Sequence, residues 1–248
     1  MAIIWQKKTK DSSYEVRTAG ETVRLYTHGV FHSHYNPKHV VTRNVWDLLF
    51  LPALLYPAGS IKRVLVLGVG GGVAIHQLNH FVKPDAIVGV ELNPIHIQVA
   101  KRFFKVNYKN TQLVEADAVQ WVELYSGEPF DLVIDDIYGE EDGEPIRPIA
   151  ADSAWFNKLL KLLTPKGMLV TNFVTPKEYR QCAYHTDANI QRKFNCAYKL
   201  TTRLYENNIG AFLRSEQSVQ TMKNNMAEYK ALSNKGFDQT FRITKVRR

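Results

Sequence analysis

Between residues 61 and 213, short apolar runs alternate with stretches whose apolar positions recur every three or four residues. That pattern predicts strands and helices in turn. The first run, Val64, Leu65, Val66 and Leu67, breaks at Gly68, Gly70, Gly71 and Gly72. A helical pattern follows, and a second apolar run over 86–90 stops at an acid, Glu91. Strand, glycine turn, helix, strand and acid form the first half of a nucleotide-binding βαβ unit. Glycines there let the backbone turn sharply and carry bare amide N–H groups up to a ligand, beside the positive end of the next helix. Glu91 stands where a carboxylate can accept both hydroxyls of a ribose.

The glycine spacing narrows the ligand. A dinucleotide fingerprint G-x-G-x-x-G would place its last glycine at position 73, which is Val73. The chain instead reads G-x-G-x-G through Gly68, Gly70 and Gly72, which suits S-adenosylmethionine-type ligands better than NAD. The alternative is a turn used only for tight strand–helix packing.

Elsewhere the pattern extends in both directions. Residues 14–35 alternate in three strand-like runs, with Ala19-Gly20-Glu21 and His28-Gly29 as turns, and predict a small β-meander. It is too small for a good core of its own, so it is expected to pack on the main domain and cover the active-site mouth. The apolar segment 45–55 is expected to begin as a helix and be disturbed by Pro52. Downstream, helices are expected over 94–104, 119–124, 155–163 and 178–194, and strands over 111–114, 130–134 and 168–174. Thr164-Pro165-Lys166-Gly167 is expected to stop the third of these helices. Residues 198–205 and 210–213 read as a hairpin. The fold class is α/β, Rossmann-like, with a mostly parallel open sheet, an antiparallel C-terminal hairpin and a small N-terminal β-meander. Residues 1–60 are expected to form the N-terminal β region with a linker helix, and 61–248 the nucleoside-binding catalytic domain.

Composition adds little to this and excludes some classes. A hydrophobic fraction of 45% and a charged fraction of 23% in 248 residues are those of a soluble globular chain. No apolar run approaches the roughly 18 residues of a membrane span, and no signal-peptide core is present, so a cytoplasmic protein is expected. Cys182 and Cys196 are the only cysteines and read as reduced core residues, with a single bridge as the alternative. The net charge of +8 favours polyanions in general, but the basic residues are scattered and no nucleic-acid motif accompanies them. Solvated faces are the plainer reading, and RNA-directed methyl transfer is kept as an alternative. His32 with His34, and His76 with His80, each share one face of an element, but neither pair has a third ligand in a familiar spacing, so no metal is expected. Trp46, Trp121 and Trp155 read as packing residues. Neither a G-x-S-x-G elbow nor a Walker lysine is present.

Three carboxylates fall at the ends of successive predicted strands: Glu91, Asp117 and Asp136. In an open α/β sheet those ends line the ligand crevice. Their order fits an adenosine, with Glu91 at the ribose, Asp117 beside Ala118 at the adenine amino group, and Asp136 nearer the reacting end. Asp135 faces the opposite way in the strand and is expected to serve structure.

With these residues in view, the chain resembles the spermidine/spermine synthase-like proteins, within the class I S-adenosylmethionine-dependent methyltransferase fold. LYTHGVFHSHY resembles that family's N-terminal hairpin region, and RVLVLGVGGG its glycine motif. VGVELNPIHIQVAKRFF, VEADAVQWV, FDLVIDDIYGEEDGEP and LLTPKGMLVTNFV resemble its later segments. The resemblance implies nucleoside-binding roles for Glu91 and Asp117, a catalytic role for Asp136, and possible assembly as a homodimer. The departures lie on the substrate side. Aminopropyltransferases of the family carry aspartates where this chain has Gly71 and Gly139, and their Tyr-His-Glu segment has no clear match at Asn44-Val45-Trp46-Asp47. Glu140, Glu141, Asp142 and Glu144 are available to receive a cationic substrate, or to be merely solvated.

The expected activity is therefore alkyl transfer from S-adenosylmethionine or its decarboxylated form to a small-molecule acceptor, with an amine as one candidate. Asp136, and with it Tyr138, would take or align the acceptor's proton. Methyl transfer is favoured because the amine-holding residues are missing. Aminopropyl transfer and a non-catalytic nucleoside-binding scaffold are the alternatives.

Overall fold

A computed structural model describes residues 1–141, 144–234 and 236–247. The N-terminal sheet is antiparallel and in sequence order: β1 (Ala2–Lys8), β2 (Ser13–Ala19), β3 (Thr22–Thr27) and β4 (Val30–Tyr35). The last three match the expected meander. The first was not foreseen, because β1 buries neither face, its residues being exposed apart from a half-buried Trp5, and so shows no alternation. Tyr14, Val16 and Leu25 of this sheet join the same buried cluster as Leu48, Ile75 and Phe104. The short helix α1 (Asp47–Phe50) then passes into a 3-10 turn over Leu51–Leu55 containing Pro52, as expected.

The main sheet contains β5 (Arg63–Leu67), β6 (Ala86–Glu91), β7 (Thr111–Glu115) and β8 (Phe130–Asp135). A small pair, β9 (Gly139–Glu141) and β10 (Glu144–Ile146), stands apart from it. The main sheet continues with β11 (Leu163–Phe173), β12 (Cys196–Thr202), β13 (Asn208–Leu213) and β14 (Phe241–Lys245). Its order is β14-β12-β13-β11-β8-β5-β6-β7, parallel from β11 to β7 and antiparallel across the other three strands. The apolar runs are continuous because both faces are covered. Val64 and Val66 enter one buried cluster while Leu65 and Leu67 enter the other, and Leu132 and Ile134 split from Val133 in the same way. Chain order reverses between β5 and β8, which puts a ligand crevice at their carboxyl ends.

Helices α2 (Val73–Gln77), α3 (Pro94–Arg102), α4 (Ala118–Leu124) and α5 (Ser153–Lys161) cross between strands. The helix expected over 178–194 is instead three pieces, α6 (Pro176–Gln181), α7 (Ala183–Thr186) and α8 (Ala188–Gln191). Cys182 and Asp187 are extended between them, and the carboxylate of Asp187 accepts the Asn189 amide to start the last piece. The fifth parallel strand also begins earlier than expected. Leu163 already pairs with Phe130, and the Thr164-Pro165-Lys166-Gly167 stop is an irregularity inside β11. The segment after Asp136, read as an acidic loop, forms β9 and β10; Asp142 and Gly143 lie outside the described residues. Past the hairpin, α9 (Val219–Ala227) is tied back by Asn225, whose amide donates to Leu54 O (2.8 Å) and Tyr56 O (2.7 Å).

Candidate functional site at the carboxyl ends of β5, β6 and β8

The glycine turn leaves β5 with three positive-φ residues, Gly68, Gly70 and Gly72. A Cβ at Gly68 would collide with the Asp136 carbonyl oxygen, and one at Gly72 would come within 2.6 Å of Val106. The amides of this turn are not bare, which corrects the expectation. Gly68 N donates to Val90 O (2.9 Å) and Gly72 N to Val69 O (2.8 Å). Val69 N and Gly70 N both donate to Glu91 Oε2 (3.0 and 2.8 Å), and Gly71 N donates to Ser33 Oγ (2.7 Å). The turn is held by the protein's own acceptors, because β4 and the end of β6 press acceptor groups against it.

Glu91 is buried, and its Oε1 accepts a third amide, Asn93 N (2.9 Å). Burial pushes its carboxyl upward, opposed by those three amides and by His32. A carboxylate offers about four lone-pair positions, so a ribose hydroxyl reaches Glu91 by sharing these oxygens or displacing an amide. The N-terminal sheet packs against this end. Asn93 donates to Tyr14 OH (2.9 Å), and His96 Nε2 lies 2.9 Å from Thr27 Oγ1 and its Nδ1 3.7 Å from Glu91 Oε1. Burial lowers His96 to about 4, so it is neutral beside that carboxylate at physiological pH.

Asp117 is half-buried and caps α4, with Oδ1 accepting Gln120 N at 2.9 Å. Ala118 opens that helix. Neighbouring β6 and β7 put Glu91 opposite Glu115, two residues before Asp117.

Asp136 follows β8 directly, and its own amide donates to Leu67 O (2.9 Å), so it stands beside the glycine turn. The residue as a whole is half-buried. Burial pushes it up to about 7, countered by the Asn172 hydrogen bond and Arg147, and reinforced by Asp135 and Glu91. Asn172 Nδ2 donates to Asp136 Oδ1 (2.8 Å). Asn207 Nδ2 donates to Asn172 Oδ1 (3.0 Å) and to Tyr138 OH (2.9 Å). Burial, and then Asp136, push the Tyr138 phenol well above its usual value.

Asp135 points to the other side, as period two requires. It is fully buried, accepts Trp155 Nε1 (2.9 Å), and pairs with Arg147 at 2.5 Å. Arg147 also donates to Asn172 O (3.2 Å). Trp155 is thus a hydrogen-bonding anchor as well as a packing residue. Sequence reasoning missed Ser33, Arg147, Asn172 and Asn207. A usable signal existed only for Asn172, a polar residue inside the apolar run MLVTNFV.

The paired histidines make other contacts, His32 with the His96 ring at 5.2 Å. His76 stacks on Tyr35 at 3.8 Å and bonds Phe104 O and Tyr108 OH at 2.8 Å each, while His80 packs on Phe81. Phe31 and His34 pack edge-on against Trp46. Among the described residues, no group of three or more His, Cys, Asp or Glu is placed to hold a metal ion. Likewise, no helix among them is long and apolar enough to cross a membrane.

Residues 59–228 match the model of the family described as Methyltransferase domain, and the chain belongs to that family. Its fold is the spermidine synthase-like, class I S-adenosylmethionine-dependent type. A probable spermidine synthase from Corynebacterium glutamicum superposes with a TM-score of 0.74 at 14% identity, covering 93% of this chain and 89% of that one. Human Methyltransferase-like protein 13 in complex with SAH gives 0.59 at 16% identity, covering 75% and 91%. Among curated relatives, a polyamine aminopropyltransferase of Chromobacterium violaceum is 31% identical over 115 residues, 45% of this chain and 42% of the relative. An eEF1A lysine and N-terminal methyltransferase homolog of Drosophila melanogaster is 28% identical over 196 residues, 75% of this chain and 28% of the relative. The chain spans less than half the length of these curated relatives.

Proposed function

We propose that the protein is a transferase that binds S-adenosylmethionine and moves its methyl group to an acceptor presented at Asp136. The observation that carries this reading is the meeting of Gly68, Glu91 and Asp136 at adjoining strand ends. Asp136 N is bonded to Leu67 O, and Glu91 to the amides of Val69 and Gly70. The carboxylates there have the chemistry to accept from a nucleoside: Glu91 from the ribose hydroxyls, and Asp117 from the adenine amino group. Gly68, Gly70, Gly72 and Ala118 supply the backbone around it. A sulfonium co-substrate brings an electrophilic carbon beside an already charged leaving group, so no covalent nucleophile is required.

The residues at the reacting end have three tasks. Asp136, poised near neutrality, accepts a proton from the acceptor, the condition in which a general base works best. Tyr138 aligns the acceptor by hydrogen bonding. The residues around them hold the acceptor in line, and orientation of this kind is worth about 7–11 kcal/mol.

Methyl rather than aminopropyl transfer is favoured by the space at Gly71. A Cβ there would come within 2.7 Å of both Phe104 and Ser33, so the aspartate that aminopropyltransferases carry at this place has no room. Asp135 is paired with Arg147, which leaves Asp136, directly after β8, as the carboxylate offered to a substrate. Aminopropyl transfer is the second reading, and the aminopropyltransferase relatives favour it.

The test is transfer of label from methyl-labelled S-adenosylmethionine to acceptors in a cell extract. Asp136→Asn is expected to lose about 10²–10⁴-fold of the rate while binding the nucleoside as before. An unchanged rate removes Asp136 from the reaction.

A further inference from the structure

The side chains around Asp136 form one hydrogen-bonded chain whose polarity is determined by counting protons. An ionised carboxylate can only accept, so the Asn172 amide turns its nitrogen to Asp136 and its oxygen away. That oxygen needs a donor, and Asn207 Nδ2 supplies it. The second hydrogen of the same nitrogen goes to Tyr138 OH. Both hydrogens of the Asn207 amide are then committed, and the Tyr138 oxygen accepts. The phenol's own proton must point to a partner other than Asn207.

We infer that Asn207, carried on the turn between β12 and β13, is a positioning residue that locks Asn172 in its donating orientation toward Asp136 and turns the Tyr138 proton outward. The network also has a mirror state. When Asp136 is protonated it can donate to Asn172 Oδ1. The Asn172 nitrogen then donates to Asn207 Oδ1, and Tyr138 O–H turns inward to the same oxygen. No proton beyond the one on Asp136 is needed, since two amide rotations and one hydroxyl rotation complete the change. The charge on Asp136 is therefore reported at Tyr138, at the far end of the chain. An ionised Asp136 is paired with a phenol that donates to the acceptor, and a protonated one with a phenol that accepts from it. Other charges facing this network come from Asp135 at the end of β8, Arg147 after β10 and Glu91 at the end of β6. Glu178 of α6 faces Tyr138. Arg147 offsets Asp135 directly.

The inference takes from the proposed function only that Asp136 lies at the reacting end. Its test needs neither co-substrate nor acceptor, so a failure of one is distinguishable from a failure of the other. The full chain is labelled with carboxyl-¹³C aspartate, the Asp136 resonance is assigned by its loss in Asp136→Asn, and its chemical shift is followed against pH. In Asn172→Leu the midpoint is expected to rise by about one to two units, the loss of one hydrogen bond to a charged group. In Asn207→Leu it is expected to rise by about half a unit, because Asn172 then rotates freely. A role confined to packing would lower the melting temperature of Asn207→Leu and leave the midpoint in place. An unchanged or lowered midpoint in a folded Asn207→Leu protein overturns the inference. Should Leu prevent folding, Asn207→Ser, too short to reach both partners, is expected to raise the midpoint in the same way, and an unmoved midpoint there overturns the inference equally.

Discussion

The two ends of the crevice are built by different means. At the end proposed for the nucleoside the glycine turn is packed against Val106, Phe104 and the Asp136 backbone, and its five amides are bonded within the protein. Its shape is set by backbone, and its one buried carboxylate, Glu91, accepts three amides. At the end proposed for the reaction the shape is set by polar side chains: Asp135 and Arg147 as a buried pair, then Asp136, Asn172, Asn207 and Tyr138 as a chain. The difference teaches where the protein is free to vary. The end shaped by backbone leaves little room for other residues at Gly68, Gly71 and Gly72, whereas the end shaped by side chains depends on single residues such as Arg147 and Asn207.

The largest effect that distinguishes the two ends is expected from Arg147→Met. It would leave Asp135 buried with Trp155 as its remaining described partner, and loss of one member of a buried pair costs about 3–5 kcal/mol. Urea unfolding measures this, and a loss below about 1 kcal/mol would mean that the reacting end does not depend on the pair.

Next comes the dependence of stability on pH. The folded-state carboxyl of Asp136 stands near 7 against 3.8 unfolded, so the folded protein binds the extra proton between these values. Stability from this group is full below about pH 4 and is lost as pH rises to about 7, by up to about 4 kcal/mol. Asp136→Asn removes that slope, so the variant should gain on the wild type between pH 5 and pH 8 in denaturant titrations. Equal differences at both pH values would show that Asp136 titrates normally.

This division also explains what the sequence made legible. Alternation of apolar runs located β5, β6, β8 and the hairpin because each strand is covered on both faces, and the glycines marked the turn because several positions there have no space for a side chain. Glu91, Asp117 and Asp136 were readable as acids at strand ends. Arg147 and Asn207 were not, since their roles arise from contacts with residues 12 and 69 positions away in the chain, and no local pattern encodes such a meeting. The same holds for Ser33, 38 positions from Gly71. The glycine amides are not bare for the same reason: the groups that occupy four of the five come from β4 and β6. Helix 178–194 was misread because its apolar spacing is helical while the Asp187 cap restarts it.

The central claim is that the nucleoside end accepts S-adenosylmethionine and has no room for the acid that would hold a decarboxylated tail. Calorimetric titration of the purified protein with both compounds tests it most directly. Tighter binding of S-adenosylmethionine is predicted. Tighter binding of the decarboxylated form, or no binding of either, would contradict it.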